Sequence, residues 1–178
     1  MAIPDKVKWQ RFYIDPWWGK KHRDLAYSNE QFNDPDSLAE WNALGYTQTR
    51  FTGDMYDMRN TEPNWIANIR YYFQWQNFSW SVYRMSPGTS LPEHQDTYKK
   101  FRELHQVKDP TVICRAIIFL EDWQQGHYFD IDGVPITQWR AGDGVQWNWD
   151  TKHTAANVGK TNRYTLQITG LFNDSFIV

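Results

Sequence analysis

The chain reads as a mainly β protein, a jelly roll with helices ahead of it. Three observations predict this. Turn residues cut residues 78–170 into short segments of strand character, whereas helical punctuation is confined to residues 1–77. Aromatic residues make up 17% of the 178 residues, 11 of them Trp, and alternating aromatics suit the half-buried faces of a β-sandwich.

Taken in order, Asp34-Pro35 supplies an N-cap and a first helical residue, Leu38, Trp41 and Leu44 share one face, and Gly45 stands where a left-handed cap belongs. Pro63 opens a second helix, with Trp65, Ile66, Ile69, Tyr72 and Phe73 at helical spacing as far as about Gln76. Residues 78–85, 112–120, 127–131, 136–139, 145–149, 153–157 and 163–169 then read as strands. Pro87-Gly88, Gln125-Gly126, Asp132-Gly133 and the segments 141–144 and 158–162 separate them, and Asp132-Gly133 in particular favours a tight hairpin. No repeat, low-complexity tract or Gly/Ser linker divides the chain. One domain is expected over residues 1–178, with 1–77 as a helical supporting region and 78–170 as a β core whose open mouth, as in a cupin-type jelly roll, can hold a ligand.

Composition narrows the function classes. A net charge of −2 and a pI near 6.2 provide no basic footprint for a polyanion, so nucleic acid is not an expected partner. Cys114 is the sole cysteine and lies in an apolar run, which excludes an intramolecular disulfide and favours an inert thiol in a reducing compartment. The amino terminus lacks the apolar core of a signal peptide, and no stretch reaches the ~20 apolar residues that span a bilayer, so a soluble, cytoplasmic protein away from membranes is expected. No Gly-rich phosphate loop, nucleophile elbow or acid/base carboxylate pair supports a hydrolase. The basic run Lys20-Lys-His-Arg23 reads as a solvated face.

The chemistry concentrates at His94 and Asp96. In extended backbone, residues two apart project to the same side, so both can face one ion while Gln95 points away. His153 opens a later strand that antiparallel pairing can bring alongside. Two imidazoles and one carboxylate can occupy one face of an octahedral Fe(II), leaving positions for a chelating acid and O2. Arg163 lies on the strand after His153, across a turn. Its guanidinium fork matches a carboxylate, although periodicity also allows it an outer, polar face with Thr165 and Gln167.

His94-Gln-Asp96, His153 and Arg163 resemble the signature of the Fe(II)/2-oxoglutarate-dependent oxygenases. The resemblance covers about half of the chain and implies a double-stranded β-helix preceded by helices. The stretch Trp139-Arg-Ala-Gly142, with Asp150-Thr-Lys-His153 and Asn157, is similar to aspartyl/asparaginyl hydroxylase-like and phage-encoded relatives. The resemblance implies that His94, Asp96 and His153 bind iron and act as the catalytic centre, and that Arg163 binds the distal carboxylate of 2-oxoglutarate. Arg115 reads as a second cosubstrate contact or a structural ion pair, and Tyr83 and Thr165 as further contacts to the same acid. Tyr98, His127 and Trp147 are candidate substrate contacts. The implied reaction consumes O2 and 2-oxoglutarate, releases succinate and CO2, and hydroxylates an unactivated C–H bond of a small molecule or protein side chain. The presence of Asp96 argues against halogenation. An intracellular setting, including a phage-infected host, fits these relatives. The alternative is a non-catalytic cupin-like module that binds a metal or ligand. Residues 97–110, after the triplet, read as a lid or an ordinary connecting helix.

Overall fold

The computed structural model describes residues 8–46 and 51–172, so the signal-peptide expectation, drawn mainly from residues 1–7, lies largely outside them. In chain order the elements are β1 (Trp9–Tyr13), β2 (Ser28–Gln31), α1 (Pro35–Ala43), β3 (Thr52–Asp57), α2 (Asn64–Phe73), β4 (Gln76–Met85), β5 (Thr89–His94), α3 (Lys99–His105), β6 (Ile113–Phe119), β7 (His127–Ile131), β8 (Val134–Ile136), β9 (Asp143–Asn148), β10 (His153–Asn157) and β11 (Arg163–Leu171). The strands form two antiparallel sheets, one of seven strands in the order β1-β9-β6-β11-β4-β3-β2 and one of four in the order β5-β10-β7-β8. Two facing antiparallel sheets with these crossovers make a jelly roll, the double-stranded β-helix.

Residues 1–77 depart from the expectation of a purely helical support, because β1, β2 and β3 all join the larger sheet. These strands are short and mostly part-buried or exposed, so they carry little of the period-2 alternation that marks a half-buried strand. The helices behave as their punctuation predicts. Asp34 accepts from the Ser37 amide at 3.0 Å and Pro35 occupies the first turn. Trp41 is fully buried and its indole donates to the Glu93 carbonyl at 2.9 Å, tying α1 to β5, whereas Leu44, expected on the same face, is exposed. In α2 the buried residues are Trp65, Ile66, Ile69 and Phe73; Tyr72 is largely exposed and Gln74, with φ 51°, ends the helix short of Gln76.

The core has two storeys. Helix α2 packs on the outer face of the larger sheet, over Trp80, Val82, Ala116, Ile118, Leu166 and Ile168. Between the sheets lie Met85, Ile117, Phe119, Phe129, Ile131 and Trp147. The β7–β8 hairpin turns on Asp132 and Gly133 with φ of 52° and 75°, the pair of positive values a type I′ turn requires. β8 ends at Ile136, so Trp139 leaves the strand and stacks on Phe119 with centroids 3.9 Å apart. Gly142 has φ +94°, and a Cβ there would lie 2.1 Å from the Ile14 carbonyl oxygen. Gly142→Ala is expected to destabilise by more than about 2 kcal/mol in denaturant melts; an unchanged midpoint would show that the 14–142 contact yields freely.

His22, expected on a solvated face, is instead completely buried, 2.8 Å from Glu121 Oε1, and Arg23 pairs with the same carboxylate. Burial lowers the His22 pKa, outweighing the attraction of Glu121. The folded state therefore binds this proton less readily than the unfolded chain. Its contribution to stability is present above the ordinary histidine value of about 6.5 and is lost as pH falls below it. Burial shifts His127 and His153 the same way. Stability should thus fall as pH drops below about 6.5, the loss continuing to about pH 4 where folded His153 takes up its proton, and His22→Gln should flatten that slope without removing it. An identical slope in the variant would rule His22 out as a contributor.

Candidate functional site

The smaller sheet positions both imidazoles. His94 ends β5 and His153 begins β10, and the two are register partners, with an irregularity in the pairing just after His153. Their rings lie 4.4 Å apart. Behind His94 stand Trp41 and Phe32, each edge-on to its ring. Asp96 follows in the loop leaving β5. The ligand atoms of His94, Asp96 and His153 lie within 4.8 Å of one another, a group that could hold a metal ion.

Hydrogen bonding sets the histidine tautomers. His94 Nδ1 is 2.8 Å from the Pro92 carbonyl and His153 Nδ1 is 3.3 Å from the Thr151 carbonyl. A carbonyl only accepts, so each Nδ1 carries the proton and each Nε2 offers a lone pair. Burial, then the neighbouring His94, pushes the His153 pKa down to about 4. Asp96 is held below the usual carboxylate range: burial opposes its ionisation, but the Arg115 guanidinium and then the two imidazoles prevail. At neutral pH three lone-pair donors therefore converge with no proton between His153 Nε2 and Asp96 Oδ2, which are 3.5 Å apart. These nitrogen and oxygen donors fit Fe(II) with open positions.

The cavity holding this cluster has a volume of about 250 Å³. Its lining includes Arg163, Arg115, Tyr83, Thr165 and Trp147 from the larger sheet, so these expected residues do meet the triad in one space. On β11 the apolar residues Tyr164, Leu166 and Ile168 enter the outer core. The alternate residues Arg163, Thr165 and Gln167 face the cavity, so the polar face of this strand is the inner one. Arg163 is 6% exposed; Nη1 donates to the Tyr128 carbonyl and Nε is buried without a partner. Among the described residues no carboxylate pairs with it, and burial lowers its pKa to about 10.

Arg115 takes the structural alternative. Its Nη1 lies 2.6 Å from Asp96 Oδ2, so it pairs with a candidate metal ligand. Tyr98 and His127 do not line the cavity. Tyr98 is buried beneath the Arg115 guanidinium, 4.6 Å from ring centroid to Cζ. His127 is buried in β7, bonded to the Thr161 carbonyl at 3.1 Å. Both are corrections: the turn before His127 does not reach the mouth, and α3 draws Tyr98 inward. Trp147 remains a wall, its ring 5.0 Å from that of His153.

The lining contains residues that sequence reasoning missed: Phe32, Phe51 and Met55, from β2, β3 and their surroundings. The helical reading of residues 1–77 hid them. An adjoining cavity of about 350 Å³ shares Met55, Tyr83, Lys100, Arg115 and Gln167 with the first and continues under α3.

No protein-family model and no curated protein matches the chain. Solved structures do. A prolyl-4-hydroxylase from Pseudomonas putida is 16% identical, over 86% of this chain and 96% of its own, with a TM-score of 0.51. The viral collagen prolyl hydroxylase of Paramecium bursaria Chlorella virus-1, in complex with 2OG, is 13% identical over 84% of this chain and 98% of its own, with a TM-score of 0.51. The non-heme alpha-ketoglutarate-dependent epimerase SnoN, from nogalamycin biosynthesis, is 12% identical over 84% of this chain and 80% of its own, also with a TM-score of 0.51. The chain shares their fold. Among the described residues no helix is long and apolar enough to cross a membrane.

Proposed function

We propose that the chain is an Fe(II)- and 2-oxoglutarate-dependent dioxygenase that hydroxylates an unactivated C–H bond of a small molecule or protein side chain. The observation that carries this reading is Arg163: a buried guanidinium without a carboxylate partner, in the same cavity as the His94–Asp96–His153 cluster. A buried charge is costly unless paired, and a dicarboxylate spanning from arginine to metal supplies the partner. When bound, the iron would be chelated by the 2-oxo acid and would activate O2, coupling oxidative decarboxylation of the acid to oxidation of substrate.

The residues have separable roles. His94, Asp96 and His153 hold the ion on one face, with both imidazoles fixed by their backbone acceptors. Arg163 takes the distal carboxylate through its free donors, and Thr165 and Tyr83 border the same acid. Trp147, Phe129 and Ile117 exclude water around the reacting centre. Substrate enters past Phe32, Phe51 and Met55, and the adjoining cavity gives room for a group larger than the cosubstrate.

Anaerobic titration of the apoprotein with Fe(II) and then 2-oxoglutarate tests this reading. A weak visible charge-transfer band that needs both components is expected, and it should be lost in Asp96→Ala. Bound metal with no affinity for the acid would instead mark a non-catalytic cupin-like module.

A further inference from the structure

We propose that Arg115 makes divalent-metal binding conditional on the dianionic acid, by pairing with one oxygen of Asp96 and adding positive charge beside the ion. The inference rests on the function proposed above. Arg115 projects from β6 into the space between the sheets, in register between Thr169 and Trp147. Its head is fixed on three sides: Nη1 against Asp96 Oδ2 at 2.6 Å, Nε donating to Thr169 Oγ1 at 3.2 Å, and the ring of Tyr98 4.6 Å from Cζ. Both partners of the ion pair are largely buried, with side-chain exposures of 12% and 16%. The pair is thus held by packing and does not swing out to make room for an ion.

Charge accounting gives the consequence. Among the residues lining the cavity the acids Glu30 and Asp96 are outnumbered by Arg84, Lys100, Arg115 and Arg163, so the unliganded cavity is net cationic. A dication alone adds to that charge where the dielectric is low, whereas a dication and a dianion together leave it unchanged. Arg115 and His153 Nε2 approach the same oxygen, Asp96 Oδ2, at 2.6 and 3.5 Å, so the guanidinium charge sits directly beside the ion position. Arg115 is therefore a positioning residue. It acts through Asp96 and disfavours a redox-active ion bound without its acid.

The test is titration with Mn(II), with and without saturating 2-oxoglutarate, of wild type, Arg115→Gln, Arg115→Met and Arg115→Lys. Wild type is expected to bind Mn(II) alone about 30-fold or more weakly than with the acid. Either neutral variant should bind Mn(II) alone about tenfold more tightly than wild type, with a much smaller change when the acid is present. Arg115→Lys, which keeps the charge, should behave as wild type. A merely structural role predicts the opposite sign, weaker metal binding in every variant. A neutral variant that melts cooperatively yet binds Mn(II) alone no more tightly than wild type overturns the inference. If neither neutral variant folds, equal Mn(II) affinity of wild type with and without the acid overturns it, and so does loss of the coupling in Arg115→Lys. Failure of wild type to bind either Mn(II) or 2-oxoglutarate overturns instead the proposed function beneath it.

Discussion

Arg163→Met should make the apoprotein more stable while reducing its affinity for 2-oxoglutarate by about 100-fold or more. The stability gain follows from the environment of the guanidinium. Burial lowers the Arg163 pKa to about 10 and no carboxylate among the described residues compensates it, so the folded state bears a desolvation cost that a methionine of similar length does not. Loss of the hydrogen bond to the Tyr128 carbonyl offsets about 1 kcal/mol of that gain. A net stabilisation of about 1–2 kcal/mol remains. The affinity loss follows from the same feature, since the acid is the missing partner. Denaturant melts of the apoprotein and a binding titration separate the two effects. A lower melting midpoint with unchanged acid affinity would show that Arg163 is a satisfied structural residue and would remove the main support for the proposed function.

Asp96→Ala should behave in the opposite way, destabilising the apoprotein by about 3–5 kcal/mol as well as abolishing metal binding. The large cost comes from Arg115, which the substitution leaves buried without its counter-charge, since Thr169 and Tyr98 are neutral. The double variant Asp96→Ala/Arg115→Met should recover most of the lost stability and none of the metal affinity. The pair therefore couples by a few kcal/mol in a double-mutant cycle. Additive effects would mean that Arg115 finds another partner or reaches solvent when Asp96 is gone.

Much of this arrangement was legible in the sequence, for identifiable reasons. The helix from Asp34-Pro35 to Gly45 carries its own start and stop signals, and Asp132-Gly133 specifies its turn, so local chemistry alone located both. The strands 127–131 and 153–157 agree with the structure at both ends. His94 and Asp96 emerged from their spacing in extended backbone and His153 as their partner from the family resemblance, and the structure brings the three together. What could not be read is long-range. Which face of β11 turns inward depends on α2 covering the other, and nothing in the alternation of Arg163 to Ile168 reveals it. The partnership of Arg115 with Asp96 joins β6 to the loop after β5, which no local signal brings together. The contribution of β2 and β3 to the cavity lining was hidden because those strands are short and rich in polar residues.

His94 closes the outer strand of the smaller sheet, and its register partner His153 lies on the next strand inward. An ion shared by the two is a rivet through the sheet's rim, with the loop that carries Asp96 as its third point of attachment. On the proposed function, stripping the ion should loosen that rim first and leave the interior, built on β11 and α2, in place. Pro92, within the outer strand, brings no N–H to the rim, so the loosened edge is a poor template for a strand of another chain.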